Sequence, residues 1–103
     1  MVVALLVLAV IVVFDKSAFA QAIGAGELIA KTQCAGCHTT DSNGPMTGSG
    51  AVPSFSSIAN TGGTTVTGLE VFLSTPHARM PNYSLSSSEI SNVSAYIMSL
   101  RRK

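Results

Sequence analysis

The stretch Cys34-Ala35-Gly36-Cys37-His38 decides how the remaining sequence is read. Two thiols three positions apart, with an imidazole directly after the second, admit several chemistries. A disulfide across so short a loop would staple almost nothing. A thioredoxin-like dithiol belongs in a βαβ setting, and no such pattern surrounds this one. Structural zinc needs four ligands, and beyond these three the sequence offers only His77 and scattered carboxylates. Cys-x-x-Cys-His is the attachment signature of a c-type haem: both thiols form thioethers with the porphyrin, and the histidine is an axial ligand to iron. On this reading Cys34 and Cys37 attach one haem c covalently, and His38 binds its iron.

Upstream, Val2 to Phe14 is an unbroken apolar run, followed by Asp15 and Lys16. It has the length of a secretory h-region and is shorter than the roughly 20 residues that span a bilayer. Ala18-Phe19-Ala20 supplies the small-x-small pattern that signal peptidase reads. Residues 1–20 are therefore expected to be a signal peptide and residues 21–103 one exported, periplasmic domain. An uncleaved N-terminal anchor, the alternative, is the only route by which the chain would meet a membrane.

The full chain is 47% hydrophobic with a formal net charge of +1. Much of that apolar content lies in the N-terminal segment, and the remainder is rich in Ser, Thr and Gly. Lys31, Arg79, Arg101, Arg102 and Lys103 nearly balance Glu27, Asp41, Glu70 and Glu89. No basic patch exists for nucleic acid to bind. A domain this small buries too little surface to be comfortably stable without a staple, a role that a covalent macrocycle would fill.

Gln21 to Gly26 reads as small and flexible, with a short helix from Glu27 to Gln33 running into Cys34. Thr39 to Pro53 is punctuated by Asn43-Gly44-Pro45, Gly48 and Gly50 and predicts an irregular loop. Pro53 to Ala59 predicts a helical turn with Phe55 and Ile58 on one side. Thr67-Gly68-Leu69-Glu70 has the form of a capping box opening a helix to about Ser74, which Pro76 stops. Ser86-Ser87-Ser88-Glu89 is a second capping box. It opens the longest helix, to about Leu100, with Ile90, Val93, Tyr96, Ile97 and Leu100 on one stripe. Thr64 to Thr67 is too short and polar for a strand. The expected fold is all-α: three to four short helices and long loops wrapped around one covalently attached haem.

The candidates for the opposite axial ligand are Met46, Met80, Met98 and His77, with a vacant position or another ligand as the alternative. Met46 would have to swing around the haem edge, and Met98 sits in a helix where core filling is a methionine's ordinary role. His77 would give a bis-histidine haem, with a solvated loop residue as its plainer reading. Met80, on a loop pinned by Pro81, is the expected sixth ligand. Phe55, Ile58, Leu69, Phe72, Leu85, Tyr96 and Ile97 are candidate pocket walls, though any could be plain helix–helix core. Arg79 and Tyr83 could reach a propionate or simply be solvated.

Cys34-Ala35-Gly36-Cys37-His38-Thr39, Arg79-Met80-Pro81, Leu85-Ser86 and Ala95-Tyr96-Ile97 together resemble a small bacterial class I cytochrome c over nearly the whole of residues 21–103. The resemblance implies that the Pro45 carbonyl accepts a hydrogen bond from His38, and that Gly26 marks the crossing of the first and last helices with Tyr96 beside it. It also implies a one-electron carrier rather than an enzyme, shuttling between a dehydrogenase donor and an oxidase or reductase acceptor. A haem subunit of a larger dehydrogenase or oxidase complex is the runner-up, and a sensor or peroxidase with an open axial site ranks below it.

Overall fold

A computed structural model of the 103-residue chain describes residues 2–44, 52–75, 80 and 84–102, with side chains 8–15 left aside. The described residues form four α-helices: α1 (Val2–Ile29), α2 (Phe55–Asn60), α3 (Val66–Ser74) and α4 (Ser87–Ser99). Among the described residues there is no strand, and no helix is long and apolar enough to cross a membrane.

The expected flexible segment at Gln21–Gly26 is instead helical, and α1 runs unbroken from Val2 to Ile29. Tertiary contact accounts for this. Glycine normally weakens a helix interior, but at Gly26 its missing side chain is what lets α1 lie against α4. A Cβ there would overlap the Asn92 carbonyl oxygen and sit 2.9 Å from Tyr96 Cβ. The packing gained along this crossing outweighs the glycine penalty. Glu27 pairs with Lys31 at 2.8 Å, one turn on. Both side chains are exposed, so the pair adds little.

Where a short independent helix was expected to enter Cys34, α1 passes into a π-helical turn, Ala30–Cys34, with the Ala35 amide donating to the Ala30 carbonyl at 3.0 Å. The Thr32 hydroxyl lies within hydrogen-bonding distance of the Leu28 (2.9 Å) and Ile29 (3.3 Å) carbonyls, at the seam between the two windings. Such π turns are rare and concentrate at functional sites.

The start of α3 also departs from expectation. Thr65, not Thr67, is the N-cap, its hydroxyl accepting from the Gly68 amide at 3.0 Å. Glu70 is free of any capping box because its carboxylate accepts from the Ser91 hydroxyl of α4 at 3.1 Å. Helix α4 begins with the expected box: Ser86 accepts from the Glu89 amide, and Glu89 accepts from the Ser86 amide.

The buried core joins the π turn to α2, α3 and α4 through Ala30, Phe55, Ala59, Leu69, Val93, Tyr96 and Ile97, and Ile23 and Ile29 of α1 pack against it. Ile58, Leu73, Leu85, Met98 and Leu100 pack around it, half-buried. Helices α1 and α4 form the main frame, and α2 and α3 lean on α4.

Candidate haem-attachment site

The signature pentapeptide is wound as one further turn at the end of α1. The Cys37 and His38 amides both donate to the Cys34 carbonyl, at 3.1 and 2.9 Å. Both thiols are free, with Cys34 half-buried against the core and Cys37 exposed. Burial pushes the Cys34 thiol above its usual pKa.

His38 is oriented by a backbone carbonyl. Its Nδ1 lies 2.6 Å from the carbonyl oxygen of Pro53. A carbonyl only accepts, so Nδ1 carries a proton, and Nε2 is the ring nitrogen that would face a metal. This corrects the partner inferred from resemblance: the carbonyl facing Nδ1 is that of Pro53, while Pro45 lies outside the described residues. Both prolines follow His38 within one loop, and nothing local in the sequence separates them. What does is the return of the chain at Pro53–Phe55, where the Phe55 amide donates to the Thr39 carbonyl at 2.9 Å. Gly44 allows the same approach, since a Cβ there would sit 2.8 Å from Ser54 Cβ.

An aromatic relay stands behind the histidine. The Phe55 ring lies 5.3 Å from the His38 ring, and the Tyr96 ring 6.5 Å from Phe55, both pairs tilted. The Tyr96 hydroxyl donates to the buried Thr40 carbonyl at 2.6 Å. Sequence reasoning took Tyr96 for a pocket wall and did not anticipate this bond, which joins positions far apart in the chain. Thr40 likewise carries no signal of its own in the sequence.

Burial, together with Glu27 and Asp41, holds the Tyr96 phenol above its usual value of 10.0, with Lys31 opposing them. The folded state thus binds this proton more tightly than the unfolded chain. The resulting stability is fully present below about pH 10 and lost as pH rises through the raised value. Urea midpoints measured between pH 9 and 12 should therefore fall more steeply for the natural protein than for Tyr96→Phe.

Of the other candidates, Ile58 packs on the core and Leu69 lies within it, and Leu85 joins its edge. Phe72 differs: it is 52% exposed on α3. Met80 is half-buried. Met98 packs against the core cluster, the filling role expected of it. Met46, His77, Arg79, Pro81 and Tyr83 lie outside the described residues.

These residues fit a haem better than a bare ion. No three His, Cys, Asp or Glu side chains among the described residues are grouped to hold an ion. The donor set is instead two unbonded thiols and one imidazole oriented by the Pro53 carbonyl, all within five residues.

The comparisons agree with this chemistry. The family model described as "Cytochrome c" matches residues 23–101. Cytochrome c-552 of Bradyrhizobium diazoefficiens is 43% identical over 87 residues, covering 84% of this chain and 83% of that protein. No solved structure matches. A helical frame crossing at a glycine, closed over Cys-x-x-Cys-His and matched along most of its length, places the chain in the cytochrome c family, as a small electron-carrying haem protein of class I.

Proposed function

We propose that the protein is an exported, periplasmic one-electron carrier whose single haem c is attached through Cys34 and Cys37 and ligated by His38 and Met80. The observation that carries this reading is the 2.6 Å contact between His38 Nδ1 and the Pro53 carbonyl. It fixes the ring, selects the tautomer with Nε2 free, and raises the basicity of that nitrogen as a ligand. The haem, when bound, supplies a one-electron Fe(III)/Fe(II) couple.

Met80 contributes a soft thioether, which favours the reduced state and raises the potential relative to a second histidine. With His38 and Met80 both holding the iron, the chain would leave no coordination site for a substrate, which suits a carrier that exchanges electrons with redox partner proteins. Phe55 packs beside His38, its ring 5.3 Å from the imidazole. Export is supported by the apolar run Val2–Phe14 and by the exposure of Lys16 to Ala20 at the small-x-small motif.

Absorption spectroscopy tests the ligand set. The oxidised protein should be low-spin, with the weak red sulfur-to-iron band. Met80→Ala should abolish that band and lower the potential. A high-spin spectrum of the natural protein, or a band that survives in Met80→Ala, would overturn the assignment.

A further inference from the structure

The last residue of the attachment motif and the two that follow it are each tied down, and the ties come from two parts of the fold. His38 Nδ1 faces the Pro53 carbonyl, and the Thr39 carbonyl accepts from the Phe55 amide at 2.9 Å. Both partners lie at the start of α2. Gly44 against Ser54, and the Ser56 hydroxyl directed at the Asp41 carbonyl at 3.4 Å, bind the same two segments together. The ligand strand, the irregular segment 38–41 that forms no β-structure, and the start of α2 are thus one unit.

The third tie runs elsewhere. The Thr40 carbonyl accepts from the Tyr96 hydroxyl of α4 at 2.6 Å, in a buried setting. Tyr96 also packs its Cβ against Gly26 at the helix crossing and sets its ring against Phe55, which in turn lies on His38. One side chain therefore touches the α1–α4 frame, the aromatic relay and the ligand strand.

We propose that the Tyr96 hydroxyl is the pin joining the axial-ligand strand to the α1–α4 frame, making Tyr96 a positioning residue for His38 rather than a wall of the haem pocket. The ring and the hydroxyl have separable duties. The ring fills the helix crossing, as any aromatic of its size would. The hydroxyl gives the Thr40 carbonyl its donor, and without it a buried acceptor next to the ligand strand is left unpaired. The strand then keeps its ties to α2 but loses the one to the frame. This rests on His38 as the axial ligand, yet the Phe55 amide reports the pin whatever binds the iron.

Tyr96→Phe keeps the ring and removes the pin. In the haem-loaded protein, hydrogen exchange at the Phe55 amide should accelerate about tenfold. The α4 amides of Val93 and Ile97 should change far less. In the ferric protein, the paramagnetically shifted His38 ring protons should move or broaden. Ile97→Val provides the comparison: it trims the same core with the hydroxyl intact, and should loosen the helices without singling out Phe55 or shifting the His38 signals. An unchanged Phe55 amide in Tyr96→Phe would overturn the proposal. The same local acceleration in Ile97→Val, at matched overall stability, would also overturn it. Loss of the red band in the natural protein would instead count against Met80 and leave the exchange result standing.

Discussion

Gly26→Ala is expected to lower the thermal midpoint of the haem-loaded protein by about 10 °C or more. Two effects oppose each other. Alanine is the better helix former by about 1 kcal/mol, which alone would stabilise α1. Against that, the new methyl group overlaps the backbone carbonyl of Asn92 and comes within 2.9 Å of Tyr96 Cβ. Neither neighbour is the end of a flexible side chain, so relief requires α1 and α4 to separate along their crossing. Overpacking a tight site costs typically 1–3 kcal/mol and occasionally more. A clash with backbone belongs at or above the top of that range, roughly 3 kcal/mol or more, which leaves a net loss of about 2 kcal/mol or more. At about 4–8 °C per kcal/mol for a domain of this size, that is the expected fall. Gly24 supplies the control, since a Cβ there meets nothing within 4 Å. Gly24→Ala should be neutral or mildly stabilising. If the two variants melt alike, the close crossing is not what position 26 requires.

Phe55→Ala should have the other large effect, a loss of about 3–5 kcal/mol in urea unfolding followed through haem absorbance. Phe55 is 4% exposed and sits between the His38 and Tyr96 rings. Removing it leaves a cavity that both rings border, and neither can collapse into it freely. Tyr96 is held by Thr40 and by the helix crossing, and His38 by Pro53. Domain stabilities run from about 5 to 15 kcal/mol, so this single truncation would remove a large share. Phe55→Leu, which refills much of the volume, should lose less than half as much. An alanine variant destabilised by under 1 kcal/mol would mean that the relay does not support the histidine.

Much of this molecule is written locally. The pentapeptide needs only its own five residues to carry the signature on which the proposed thioether attachment and His38 ligation rest. The Ser86–Glu89 box is equally self-contained, because its reciprocal bonds close within one turn. The stripe on α4 is legible because helical period alone puts Ile90, Val93 and Ile97 on one face, and all three are buried.

Other features failed locally for identifiable reasons. At the start of α3, Thr65 and Thr67 are both good caps. The choice falls to Thr65 because α4 offers Glu70 a different partner in Ser91. Gln21–Gly26 looks like linker because two glycines weaken a helix in isolation, whereas α4 supplies the packing that makes one of them an asset.

By itself, then, the sequence determined the helical class and pointed to Cys34, Cys37 and His38 as the proposed haem-attachment residues. Each rests on residues within a few positions of one another. Only the tertiary structure decided that Pro53 faces the His38 ring, that α1 is continuous up to the π turn, and that Tyr96 bonds to Thr40. Those choices lie among chemically equivalent partners, two prolines or several backbone carbonyls. Which of them is within 3 Å depends on how α4 crosses α1 at Gly26 and where that crossing sets the returning loop.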